Sequence, residues 1–202
     1  MIPKLLLLAA AYILGGIPFG YLLVKFRTGE DVRAMGSGNI GATNVLRTSG
    51  RLTGIVTLLL DMLKGWVAVW LMARYTYDDP LWMSLAAAAV ILGHGFSIFL
   101  KFQGGKAVAS YVGAFMYLAP FPLLATLIVF VLSVWRTRYI SFGSVLCAVL
   151  FPFAVWMIDH SPWPVILTTI GCGAFVIWRH RSNIERLVAG TENVFTFSKK
   201  MS

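Results

Sequence analysis

The chain has 202 residues, 58% of them hydrophobic and only 12% charged, with a net charge of +9. A soluble domain carries roughly 25% charged residues, so a wholly water-facing surface is excluded and one integral membrane domain over residues 1–202 is expected. The cations sit between apolar runs rather than along a soluble stripe, which excludes a nucleic-acid-binding role and matches the positive-inside pattern.

Taken in order, the apolar runs predict an all-α polytopic membrane protein with seven transmembrane helices, at 5–24, 52–73, 81–99, 107–119, 121–135, 140–158 and 163–178. The first run is long enough to span and lacks a small-residue cleavage site, so a retained helix is expected rather than a signal peptide. Asp78-Asp79-Pro80 separates the second run from the third, and Pro162 and Pro164 suit the opening turn of the last. Pro120 and Pro122 mark a break. One helix over 107–135 would run about 43 Å, well beyond a hydrocarbon core of roughly 30 Å.

Seven spans place Lys25, Arg27, Arg33, Arg47, Arg51, Lys101, Lys106, Arg136, Arg138 and the five basic residues from Arg179 onward on one side. Only Lys4 and Arg74 fall opposite, with Lys64 inside a span. The expected orientation is N-terminus outside and C-terminus cytoplasmic. Residues 26–51 are too polar to insert and too rich in glycine for a long helix, so they read as a cytoplasmic or re-entrant loop. Cys147 and Cys172 lie in apolar runs and suggest neither a disulfide scaffold nor a metal site.

Three polar segments fall on the cytoplasmic side. The first is Gly36-Ser37-Gly38-Asn39-Ile40-Gly41-Ala42-Thr43-Asn44-Val45-Leu46-Arg47. Its glycines permit successive N–H groups to face one concavity, an anion nest, and Arg47 adds a forked cation suited to phosphate. No strand precedes it, so it is neither a Walker loop nor a dinucleotide fingerprint. The second segment runs from Gly93-His94-Gly95-Phe96-Ser97 to Gly104-Gly105-Lys106. His94 and Ser97, three apart, are expected on one helix face, and the two glycines are expected to open the fourth span with free N–H groups beside Lys106.

The third segment is Arg179-His180-Arg181-Ser182-Asn183-Ile184-Glu185-Arg186-Leu187, followed by Gly190-Thr191-Glu192. A short interfacial helix is expected there, with His180, Asn183 and Leu187 on one face. Asp61 and Lys64 lie within the second span, where an unpaired charge costs a few kcal/mol. Their i, i+3 spacing predicts a structural ion pair. His160 is expected to be solvated.

Together these segments resemble the acyl-phosphate:glycerol-3-phosphate acyltransferase family. The carrying residues are GSGNIGATNVLR at 36–47, LDMLKG at 60–65, GHGFSIFLKFQGGKAVAS at 93–110, RYIS at 138–141 and RHRSNIERLVAGTE at 179–192. The family often has glycine and threonine where this chain has Ala107 and Ser110. The resemblance implies a multi-pass enzyme of the bacterial inner membrane with its active site facing the cytoplasm. It would move a fatty acyl group from acyl phosphate to the 1-hydroxyl of glycerol 3-phosphate, giving lysophosphatidic acid and phosphate. No coenzyme A or other cofactor would be needed, no metal-site residue is expected, and metal dependence and oligomeric state are left open.

On that resemblance Ser37, Gly38, Asn39, Gly41, Thr43, Asn44 and Arg47 bind phosphate and the glycerol hydroxyls, while Gly104, Gly105 and Lys106 hold a second phosphate. His180 and Asn183 close over the glycerol phosphate, and His94 and Ser141 support the pocket near the acyl chain. Lys106, His180, Asn183 and Arg47 are the expected catalytic residues. The base is either His180 or the phosphate of the acyl phosphate itself. A transporter or exchanger of phosphate-containing solutes is the competing class, although such proteins usually hold their site at the bilayer midplane between repeated halves.

Overall fold

The computed structural model describes residues 1–195, and those residues are helical with irregular connections. Lys199 and Lys200, two of the cations counted toward orientation, lie outside them. The helices are α1 (Ile2–Gly16), α2 (Phe19–Thr28), α3 (Ala42–Ser49), α4 (Arg51–Thr76), α5 (Pro80–Gly95), α6 (Val108–Leu118), α7 (Pro120–Thr137), α8 (Ile140–Ala154), α9 (Trp163–Arg179) and α10 (Arg181–Val188). Five apolar stretches are long enough to cross a membrane: Ile2–Thr28, Arg51–Thr76, Pro80–Leu100, Pro120–Thr137 and Ile140–Asp159. Two further apolar helices, Val108–Leu118 and Trp163–Arg179, are shorter. The chain is therefore a multi-pass membrane protein.

The first span departs from the single helix expected over 5–24. Pro18 has no N–H and its ring obstructs the preceding turn, so the helix breaks at Ile17 and resumes as α2 through Thr28. The break frees two carbonyls in a low-dielectric interior, and both are satisfied by distant side chains. Ser97 Oγ donates to the Gly16 carbonyl at 2.5 Å and Lys64 Nζ to the Ile17 carbonyl at 2.9 Å. Lys64 also pairs with Asp61 at 2.7 Å, as the spacing predicts, and His94 Nδ1 lies 3.5 Å from the same carboxylate.

The expected break between the fourth and fifth spans falls at Ala119, whose extended backbone separates α6 from α7. Asp79 caps α5 by accepting from Leu81 N at 2.9 Å. The expectation that His94 and Ser97 share a helix face is corrected: α5 ends at Gly95, so Ser97 lies beyond the helix and turns toward α1. Part of the supposed loop 26–51 is helical, since α2 runs on to Thr28 and α3 occupies 42–49.

Packing pairs α4 with α6, α1 with α5, α7 with α8 and α8 with α9. Lipid tails are as apolar as leucine, so helices associate here through close backbone approach. A Cβ on Gly113 would strike the Met62 carbonyl, and one on Gly65 would strike that of Ser110. The core gathers Val69, Met72, Val90, Ile91, Phe115, Phe151 and Val176 behind the polar segments. Cys147 and Cys172 are free thiols, and His160 is exposed, as expected.

Candidate active site

Asn44 organises the first polar segment. Its side-chain oxygen accepts from Ser37 N at 2.9 Å, and its amide donates to the carbonyls of Met35 at 3.0 Å and Asn39 at 2.8 Å. Those bonds use both amide hydrogens. The Asn44 side chain thereby holds the loop in shape, and Asn44 also lines the cavity. Gly36 and Gly38 take φ of +55° and +69°, conformations that cost an L-residue about 1–2 kcal/mol. Asn39 Oδ1 accepts from Gly41 N at 2.8 Å. The loop runs into α3, whose first N–H groups at Ala42 and Thr43 have no intrahelical acceptor. Ser37, Asn39, Gly41, Thr43 and Arg47 line one cavity, while Gly38 lies outside its lining.

The second segment corrects a further expectation. Gly104 N donates to the Gly95 carbonyl and Gly105 N to that of His94, both at 3.1 Å. Arg179 then grips the carbonyls of the same two glycines, donating through Nη2 to Gly104 O at 2.5 Å and through Nε to Gly105 O at 3.0 Å. The two glycines therefore offer no free N–H groups to a phosphate, and neither lines the cavity. Their small size lets the segment lie on His94, because a Cβ at Gly105 would meet the imidazole ring. Lys106 follows this clamp outside any helix, and α6 starts only at Val108.

In the third segment, α9 ends at Arg179 and α10 starts at Arg181, with His180 buried at the junction. His180 Nδ1 lies 2.8 Å from the Val176 carbonyl. A carbonyl only accepts, so Nδ1 carries the proton and a neutral ring leaves Nε2 as an acceptor. Burial, with the nearby Lys106 charge, pushes the His180 pKa down to about 4. Glu185, which superficially matches an acid partner for His180, is exposed.

Lys106 Nζ donates to Asn183 Oδ1 at 2.5 Å, and Asn183 Nδ2 donates to Glu192 Oε1 at 2.7 Å. Ser141 Oγ donates to that same oxygen at 3.0 Å, and Arg186 Nε reaches Oε2 at 2.8 Å. Glu192 is thus the hub of the site, 8% exposed, and Ser141 serves it rather than an acyl chain alone. Burial by itself would raise the Glu192 carboxyl; the bonds from Asn183, Ser141 and Arg186 hold it below its usual value. Burial lowers the Lys106 ammonium to about 8, with Glu192 opposing and Arg186, Arg47 and Arg179 adding to the effect.

Glu192 and Arg186 were absent from the expected site. Their signal in the sequence was slight: an acidic residue just past a glycine turn in a basic tail. Gly190 takes φ of +69° and Thr191 N returns to the Arg186 carbonyl, which folds Glu192 back over α10.

All of this surrounds one cavity of about 460 Å³. At one end stand Arg47, Lys106, His180, Asn183, Arg186 and Glu192. The remainder is walled by Leu58, Met62, Val112, Leu127, Phe130 and Phe151 from α4, α6, α7 and α8. Asp61 and His94 also reach the wall, with Asp61 neutralised by Lys64. Three cations against one partnered carboxylate leave the polar end anion-selective, and the apolar remainder suits a hydrocarbon tail.

A glycerol-3-phosphate acyltransferase family model matches residues 5–190. The glycerol-3-phosphate acyltransferase of Geobacter metallireducens is 50% identical over 195 residues, covering 96% of this chain and 99% of that protein. The crystal structure of PlsY (YgiH), an integral membrane glycerol 3-phosphate acyltransferase in its glycerol 3-phosphate form, superposes with a TM-score of 0.91 at 35% identity over 96% of both chains. Its lysophosphatidic acid form gives 0.88 at 33% identity, again over 96% of each.

Proposed function

The chain belongs to the glycerol-3-phosphate acyltransferase family, and from that premise we propose that it acylates the 1-hydroxyl of glycerol 3-phosphate from an acyl phosphate donor. The observation that carries the donor assignment is a cavity that is cation-rich at one end and apolar for the rest of its length. An acyl phosphate has the same two-part character.

The glycerol hydroxyl oxygen attacks the acyl carbonyl carbon, and the bond from that carbon to the phosphate oxygen breaks. The acyl group stays on glycerol and inorganic phosphate leaves. The donor is already activated, so the protein mainly positions the reactants and neutralises charge. Arg47 and Lys106 do this for the phosphates, aided by the open N–H groups at the start of α3. Asn183, fixed between Lys106 and Glu192, orients the lysine. The hydroxyl proton goes to His180 Nε2 or to a phosphate oxygen of the donor. A pKa of about 4 makes His180 unprotonated but a weak base, which favours the phosphate oxygen.

The proposed membrane arrangement has seven spanning helices with the N-terminus outside and the site facing the cytoplasm of a bacterial inner membrane. Its support is the clustering of Arg47, Lys106, Arg138, Arg179 and Arg186 at the site's end of the bundle. The deciding experiment supplies the purified protein with labelled glycerol 3-phosphate and either acyl phosphate or acyl-CoA. Labelled lysophosphatidic acid is expected with acyl phosphate alone. Equal product from acyl-CoA, or solute uptake in vesicles without acyl transfer, would overturn the reading.

A further inference from the structure

We infer that Phe151, at the floor of the apolar part of the cavity, sets the length of acyl chain that the enzyme accepts. The inference rests on the acyl phosphate reading above. Ser141, Ser144, Ala148 and Phe151 line the cavity at the 3, 4, 3 spacing of a single α8 face. Ser141 stands at the catalytic end, bonded to Glu192. Ten residues on, Phe151 lies about 15 Å deeper along the helix.

Enclosure grows along that path. At the mouth, Ile55 and Leu58 on α4 line the cavity yet are 49% and 41% exposed. α4 packs chiefly on α6, α3 and α5, and α7 chiefly on α8, so with Ile55 and Leu58 exposed this side of the cavity faces lipid. At the floor Phe151 is 1% exposed. Its ring sits 5.6 Å from that of Tyr111 and 5.1 Å from that of Phe115, both edge-on. Phe115 in turn lies 4.6 Å from Tyr111, and Tyr111 OH donates to the Thr169 carbonyl at 3.3 Å. An interlocked aromatic cluster tied to a third helix does not yield to one more methylene. A tail that follows α8 therefore stops at this floor, and a longer one either strains the site or must bend out between α4 and α7.

The test measures kcat/KM for saturated acyl phosphates of graded chain length with wild type, Phe151→Leu, Phe151→Ala, Ala148→Leu and, at the open side, Ile55→Ala. A methylene in a fitted apolar pocket changes kcat/KM by roughly 10-fold or more. Phe151→Leu and Phe151→Ala are expected to move the optimum to longer donors, raising the long-to-short ratio about tenfold or more by the same measure. Ala148→Leu fills the wall one turn nearer the site and is expected to move the optimum to shorter donors. It remains decisive if the Phe151 variants fail to fold. An unchanged ranking in the variants that fold, or a ranking that moves only with Ile55→Ala, means the tail leaves sideways and overturns the gauge. If wild type uses no acyl phosphate of any length, the donor reading itself falls, and the gauge with it.

Discussion

Lys106 and Asn183, 77 residues apart, are joined side chain to side chain, the lysine ammonium donating to the asparagine oxygen. Asn183 passes its own amide hydrogen to Glu192, so one neutral side chain separates a cation from a carboxylate and holds both in place. Substituting Asn183→Asp removes the donor and sets a second carboxylate against Glu192. Hydrogen bonds to charged groups are worth about 1.5–3 kcal/mol, so kcat/KM should fall by roughly 10- to 100-fold or more. Membrane insertion should change little. Retained activity would remove Asn183 from the site.

The Lys106 charge should be visible in the pH dependence. Its pKa is lowered to about 8, so the ammonium is present below that value and lost as pH rises through it. Phosphate affinity that depends on the charge follows the same course, and KM for glycerol 3-phosphate should climb above about pH 8. Lys106→Arg should move this limb out of range, because a guanidinium keeps its proton. His180, neutral down to about pH 4, adds no acidic limb near neutrality. A wild-type KM flat to about pH 10, the usual range of lysine, contradicts the assignment.

Arg179 holds two consecutive carbonyls with one planar group. Lysine offers a point charge and cannot reproduce the fork. Arg179→Lys should keep the fold but loosen the segment that delivers Lys106. A loss of about 1 kcal/mol or more, the value of a typical hydrogen bond, predicts several-fold higher KM with normal yield of folded protein. Unaltered kinetics would show that the clamp is dispensable.

Ala107 occupies the left-handed region, at φ +62°, and is almost fully buried. Replacing it by glycine relieves about 1–2 kcal/mol of strain but loses about 0.8 kcal/mol of methyl burial and some backbone entropy. Ala107→Gly should therefore be neutral within about 1 kcal/mol, despite deleting a core methyl. Ala107→Val adds β-branching at positive φ and should lower the thermal midpoint clearly. Equal midpoints for the two would refute the strain argument.

Asp61 and Lys64 test as a pair. Removing one partner of a buried ion pair commonly costs about 3–5 kcal/mol, whereas replacing both with apolar residues is often nearly neutral. Lys64→Met should destabilise more than the double variant Asp61→Leu with Lys64→Met, measured by unfolding in micelles. Recovery will be incomplete, because Lys64 also satisfies the Ile17 carbonyl and His94 faces Asp61. A double variant worse than the sum of the singles rules out a pairing role.

Composition and spacing by themselves determined a great deal. The charge deficit required a membrane, the prolines at 120 and 122 required a break, and glycine-bearing segments with arginine or lysine pointed to bound anions. The i, i+3 spacing of Asp61 and Lys64 predicted their bond. Those features are local, readable within one or two helical turns. The tertiary structure alone decided the rest. Within a bilayer, lipid and protein are equally apolar, so a buried residue such as Val69 and an exposed one such as Leu59 look alike in sequence. The depth of the cavity and its floor at Phe151 therefore could not be read. Nor could the spending of the Gly104 and Gly105 N–H groups, the inward turn of Asn44, or the return of Glu192 to Ser141 and Asn183. Each depends on which distant partner satisfies a buried polar group, and that is settled only when the helices meet.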